Sequence, residues 1–227
     1  MIGSNWGGTR IEPWTPPVGF RSVPELKVLA DAVSKYDVTT ETGKANWNAY
    51  LQQIETWLPT AKAAVAAGKA PPNAPATPNI NSRGPTAIYN AMIHPLAPYG
   101  VRGAIWYQGE SNGGEGETYF HKMQALIQGW RKVWGQDMGF YFVQLANFRA
   151  PNNKPEGGDG WAKLREAQRK ALTIPHTGMA VATDIGNARD IHPRNKQDVG
   201  SRLAQWALHQ TYKRNDIVPS GPLYKRS

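Results

Sequence analysis

The 227-residue sequence contains no cysteine, which excludes disulfides, thiolate-bound metals and a cysteine nucleophile. It also lacks any apolar run near the roughly 18 residues that a membrane-spanning helix needs. The opening residues lack the charged and apolar blocks of a secretory leader. Long basic runs are missing too. The formal charge of +9 arises from 26 Lys and Arg against 17 Asp and Glu, but the positive residues are scattered, with only short clusters at Arg165/Arg169/Lys170, Arg194/Lys196 and Lys225-Arg226. No nucleic-acid partner is expected without a basic stripe or a known module. A mild positive field suits an anionic ligand or a cell-wall surface.

What is present is the composition of an ordinary globular protein: 40% hydrophobic and 10% aromatic residues. Its length suits one α/β domain. From Pro24 to about Lys69 apolar residues recur at helical steps, first Leu26, Leu29, Ala30 and Val33, then Trp47, Tyr50, Leu51, Ile54, Trp57 and Leu58. This predicts a two-helix insertion broken near Thr39 to Gly43. Five prolines between Ala70 and Pro85 (Pro71, Pro72, Pro75, Pro78 and Pro85) predict an extended loop.

The rest alternates strand and helix. Strands are expected at Gly103 to Gln108, Gly139 to Leu145 and Gly178 to Asp184, and helices at Thr118 to Trp134, Trp161 to Leu172 and Asn195 to Tyr212. That alternation predicts a mainly parallel sheet with helices on both faces, a three-layer α/β sandwich. Ligands of such sheets bind at the carboxyl ends of the strands. Chemistry is therefore expected in the loops after Gln108, Leu145 and Ala182.

The first of these loops, Gln108-Gly109-Glu110-Ser111-Asn112-Gly113-Gly114, is a glycine-rich turn of polar groups behind an apolar strand. It reads either as a tight capping loop or as a cradle of N–H donors for the negative charge that develops in acyl transfer. The third, Asp184 to Pro193, holds Asp190-Ile191-His192-Pro193, in which a carboxylate stands two residues from an imidazole. His192 is the candidate general base and Asp190 the candidate group that fixes its tautomer. His94, His121, His176 and His209 are expected to be structural. The opening Trp6-Gly7-Gly8-Thr9 is either a common glycine turn or a further oxyanion donor.

Taken in order, these segments resemble the SGNH hydrolases of the sialate O-acetylesterase type. The likeness rests on Asn5-Trp6-Gly7-Gly8-Thr9-Arg10-Ile11-Glu12-Pro13-Trp14, on Tyr89-Asn90-Ala91-Met92-Ile93-His94-Pro95-Leu96, on Gly103 to Asn112, and on Asp190-Ile191-His192-Pro193-Arg194-Asn195-Lys196. It implies an SGNH/flavodoxin-like fold and hydrolysis of O-acetyl esters on an acetylated sugar or glycan, with no metal or organic cofactor. It implies His192 as base and Gly7, Gln108 and Asn112 as oxyanion or substrate-binding groups. Because Arg189 stands where the broader pattern has its acid, Asp190 and Glu110 are rival orienting acids. Export to the periplasm or outside the cell is implied by the resemblance alone.

The family's nucleophilic serine stands in a Gly-Gln-Ser-type motif after its first strand, and no such motif occurs here. The resemblance therefore implies an esterase domain over residues 1–219, interrupted by the insertion at 24–85, that lacks the nucleophile segment upstream of Met1. Residues 220–227 read as the start of a further segment. Two other readings stay open. Gly109-Glu110-Ser111-Asn112-Gly113 fits the Gly-x-Ser-x-Gly nucleophile elbow, with Asp184 or Asp190 and then His192 in α/β-hydrolase order, although Gly114-Glu115-Gly116 delays the helix that an elbow requires. A non-catalytic carbohydrate-binding remnant is the other.

Overall fold

The computed structural model describes residues 1–78, 81–149 and 160–222. Three parallel strands form the sheet, β1 (Gly103–Trp106), β2 (Gly139–Val143) and β3 (Thr177–Ala180), in the order β1-β2-β3. Gly103 pairs with Gly139, and Phe140 pairs with Thr177. Each strand is shorter than its apolar run suggests, because the last residues of each run turn out of the ladder to build the loops above it.

The helices in chain order are α1 (Pro17–Arg21), α2 (Lys27–Ser34), α3 (Glu41–Ala66), α4 (Tyr119–Trp134), α5 (Gly160–Lys170) and α6 (Lys196–Trp206). Alternation along β2 shows why the fold has three layers. Phe140 and Phe142 join Trp106 and Met179 in a core with Tyr119, Met123, Leu126, Ile127 and Trp130 of α4 and with Trp161, Leu164 and Ala167 of α5. Tyr141 and Val143 face the other way and pack with Ala180, Val199, Leu203 and Trp206 under α6. The expected parallel α/β sandwich is the observed one.

The insertion divides into two parts. Leu26, Leu29, Ala30 and Val33 close over Phe20, Val23 and Ala125 in a small cluster of their own. The break falls slightly earlier than its sequence position suggested, because the Thr40 hydroxyl accepts from the Gly43 N–H and caps α3 at its first turn. Along α3 only Gly43 and Ala61 are buried. The stripe Trp47, Tyr50, Leu51, Ile54, Trp57 and Leu58 is therefore only partly covered, and Leu51 and Leu58 are exposed.

Helices α1 and α4 cross in close contact through two glycines. A Cβ on Gly19 would lie 2.2 Å from the Ala125 carbonyl oxygen, and one on Gly129 would lie 2.6 Å from Pro16 and 3.0 Å from the Gly19 Cα. Neither neighbour is a flexible side-chain end, so the backbones would have to part. Gly19→Val is expected to lower unfolding free energy by about 1–3 kcal/mol, read as a shifted urea midpoint with unchanged slope.

Candidate functional site

Parallel pairing sends the loops after β1, β2 and β3 out of one edge of the sheet. The buried Gln168 of α5 joins the first two: its Nε2 donates to the carbonyls of Gln108 and Val143 at 3.3 and 3.2 Å, and its Oε1 accepts from the Leu145 N–H at 2.9 Å. Gly109 has φ 154°, a backbone angle that L residues rarely adopt, and a Cβ there would press within 3.1 Å of the Leu145 side chain. The second and third loops meet where Arg149 N–H donates to the Ala188 carbonyl at 2.8 Å and where Gly186 passes Asn147 without space for a Cβ. Lys196 then reaches back across the rim, its ammonium 4.5 Å above the Tyr107 ring and 3.5 Å from the Tyr107 hydroxyl.

The amino-terminal segment lies against the first loop. Gln108 Nε2 donates to the Thr9 carbonyl at 3.1 Å, and the Ile11 N–H donates to Asn112 Oδ1 at 3.0 Å. Trp14 meets Trp106 edge to face, and its carbonyl accepts from the Trp130 indole at 3.0 Å. These anchors hold the exposed Gly7-Gly8 turn beside Gln108 to Asn112. Among the described residues the Gly7 N–H has no acceptor, and a Cβ on Gly7 would meet nothing within 4 Å.

Gln108 and Asn112 themselves are engaged. The Gln108 Nε2 hydrogens go to Thr9 and to Asn112 Oδ1 at 2.8 Å, while its Oε1 accepts from the Tyr119 hydroxyl at 2.7 Å. Asn112 Nδ2 donates to Glu12 at 3.1 Å and to Glu115 at 2.9 Å. With two hydrogens each, both amides spend their donors on the protein's own chain.

Beneath them is a group that the sequence reading passed over. Lys122 donates to Glu12 at 2.6 Å and to Glu115 at 2.5 Å, and Arg10 pairs with both carboxylates. Glu12, Asn112 and Lys122 are all buried. Burial raises the Glu12 carboxyl, but hydrogen bonds from Lys122 and Asn112 and the Lys122 charge outweigh it, leaving Glu12 below its ordinary range. At Lys122 burial prevails over the attraction of Glu12, and Arg10 adds repulsion, so its ammonium lies below the usual lysine range. A signal was available: Lys122 stands three residues after Tyr119 and four before Leu126, on the apolar side of α4, where a charge demands a partner.

On the third loop, Asp190 and His192 are exposed or half-buried beside one another. One Asp190 carboxylate oxygen accepts from the His192 backbone N–H at 2.9 Å, and Asn187 caps the Arg189 N–H in the same way. The imidazole of His192 is exposed and makes no hydrogen bond among the described residues. Glu110 is half-buried at the first loop. Its carboxylate likewise has no hydrogen bond among the described residues, and together with burial its charge raises the Tyr107 phenol. Ser111 lies exposed in the short 3-10 turn Glu110–Asn112, and α4 begins only at Tyr119. Asp184, the other acid of the elbow reading, is held by both Arg202 terminal nitrogens at 2.6 Å, a pairing that lowers its carboxyl to about 2. Of the aromatic residues around these loops, Trp14 and Trp106 are buried, Tyr107 is half-buried and Trp6 is exposed.

Replacing Lys122 with Met leaves the buried Glu12 and the half-buried Glu115 with the exposed Arg10 as their remaining cation and is expected to cost up to about 3–5 kcal/mol, measurable by urea unfolding. Acid should have a related effect. The lowered Glu12 carboxyl contributes stability that is present above its ordinary value near 4.5 and is lost as pH falls through the folded-state value. Glu12→Gln is expected to remove that part of the acid sensitivity, seen as a flatter stability curve below pH 4.5.

Known proteins resemble this chain along most of its length. A family model described as carbohydrate esterase, sialic acid-specific acetylesterase matches residues 72–209. The human sialate O-acetylesterase is 33% identical over 240 residues, 98% of this chain and 38% of that protein. The mouse sialate O-acetylesterase is 28% identical over 249 residues, 100% of this chain and 42% of that protein. A carbohydrate acetylesterase from Xanthomonas citri matches 63% of this chain and 33% of its own at 50% identity, with a TM-score of 0.59. The chain thus spans about two fifths of the length of these curated relatives. It belongs to the sialic acid-specific carbohydrate acetylesterase family, with the SGNH/flavodoxin-like fold that its strands and loops build.

Proposed function

We propose that this chain carries the histidine side of a carbohydrate O-acetylesterase, with the nucleophilic serine supplied from outside these 227 residues. The observation that carries the reading is the common rim: three parallel strands deliver the Gln108–Asn112 turn, the Asn147 loop and the His192 loop to one edge, and the Gly7 turn is bound beside the first. An exposed imidazole with no internal hydrogen bond is accessible to an incoming serine hydroxyl.

In this mechanism His192 takes the serine proton as the serine attacks the acetyl carbonyl, then donates it to the departing sugar oxygen. Water repeats the sequence on the acetyl-enzyme and releases acetate. The Gly7 N–H is the oxyanion donor for which a free hydrogen exists, at about 3–4 kcal/mol per donor. Gln108 and Asn112, their own hydrogens engaged, contribute by fixing the Gly7 segment against the turn. Glu110, whose carboxylate is free of hydrogen bonds among the described residues, is the acid that would orient the imidazole and stabilise its positive charge once the serine segment is in place. Asp190 sets the position of His192 through its backbone, a role its hydrogen bond already supports.

The test is acetate release from O-acetylated sialic acid and acetylated xylan by the chain joined to its preceding segment. His192→Ala is expected to lower kcat by roughly a thousandfold or more, whereas Ser111→Ala leaves it within a few-fold. Loss of hydrolysis in the Ser111 variant would reject the external serine in favour of the elbow, which shares His192, and an active His192→Ala would reject this base under either reading. The 227-residue chain by itself is expected to release little acetate.

A further inference from the structure

The proline-rich segment does more than connect. It folds back along α3, where the Trp57 indole N–H donates to the Pro72 carbonyl at 3.0 Å. Between helix and returning chain lies a groove of about 710 Å³, lined by Ala49, Gln52, Gln53, Thr56, Trp57, Thr60, Asn73 and Pro75. None of these residues belongs to the loops of the esterase rim.

Two properties of the lining define what it fits. Trp57 and Pro75 are its partly buried members and supply its apolar surface, while the surrounding Gln52, Gln53, Thr56, Thr60 and Asn73 are exposed. Amides and hydroxyls both donate and accept, as the hydroxyls of a sugar do, and an indole face packs against the C–H face of a pyranose ring. The second property is charge: no lining residue is ionisable, on a chain whose formal charge is +9. Such a groove has nothing to pair with a carboxylate, a phosphate or a metal ion, and an anion would be drawn to other faces of the protein.

We propose that this groove is a glycan-binding site for a neutral oligosaccharide, separate from the site of ester cleavage. It takes the unesterified stretch of a polysaccharide chain and holds the polymer while an acetylated unit reaches the rim. The proposal rests on the carbohydrate-esterase reading for its choice of a sugar as occupant, and the uncharged lining adds that the sugar is neutral.

The test is binding, without reference to hydrolysis, by the 227-residue chain. Xylohexaose is titrated calorimetrically and by ¹H–¹⁵N NMR, with the Trp57 indole resonance assigned through Trp57→Phe. Hexameric α2,8-linked sialic acid serves as the anionic comparison. Saturable binding of xylohexaose that shifts the Trp57 indole is expected, with Trp57→Ala weakening it roughly tenfold or more. Because loss of the indole also removes its bond to Pro72, Gln53→Glu is the second variant. It keeps Trp57, introduces a charge on an exposed helix position, and is expected to weaken binding several-fold with unchanged thermal unfolding. No binding of xylohexaose, binding that survives both variants, or preference for the sialic acid hexamer would overturn the proposal. Loss of esterase activity in a His192 variant with groove binding intact would bear on the catalytic reading alone, and the reverse pattern on this one.

Discussion

Everything at the sheet rim depends on a neutral set of four charges, of which Glu12 and Lys122 are buried, Glu115 is half-buried and Arg10 is exposed. Arg10 and Glu12 belong to the amino-terminal segment, Glu115 to the loop after β1, and Lys122 to α4. Taking Glu12 and Lys122 out of water is costly, and only the arrangement of the four charges makes that burial tolerable. The same arrangement fixes three separate pieces of chain in one register. Asn112 sits at the centre of it, giving both hydrogens to the carboxylates and both acceptor positions to Ile11 and Gln108. A fully satisfied buried network of this kind specifies one geometry rather than adding much net stability.

That arrangement changes how the amides of the glycine-rich turn are understood. A turn of such composition invites a reading in which Gln108 and Asn112 point at the reacting oxygen. In the folded chain their amide hydrogens are engaged internally, and the proposed mechanism assigns the oxyanion to the main-chain N–H of Gly7, on the segment they anchor. In the proposed mechanism, precision at the reacting atoms then originates in groups set back from them, in keeping with the supporting role of hydrogen-bonded neighbours around catalytic positions.

Much of the architecture was legible because strand and helix patterns here have unambiguous periods. β2, with every residue buried, reads as a continuous apolar run, and the residues of α4 at helical spacing fall on its core side. Strand ends were less legible. Leu145 and Ala182 are apolar and buried, yet they serve the loops rather than the ladder. The apolar stripe of α3 misled in another sense: helical spacing correctly announced the helix but says nothing about whether another element covers it. Spacing in sequence also could not reveal that Asp190 spends a carboxylate oxygen on the His192 backbone N–H, since a two-residue separation suits an Asx turn as well as a side-chain pair. Partners of Lys122 more than a hundred positions away, such as Glu12, have no local signature at all.

The loose seating of α3 sets it apart from the sheet in a physical sense. Apart from Gly43 and Ala61 its residues keep some surface in water, so opening this helix exposes little that was dry. Its amide hydrogens should accordingly exchange with solvent through local fluctuations of low free energy, while those of β2 wait for the whole domain to open. A protein built this way can lengthen, shorten or redecorate the excursion between α2 and the strands over evolutionary time, and the buried charges at the rim would not register the change.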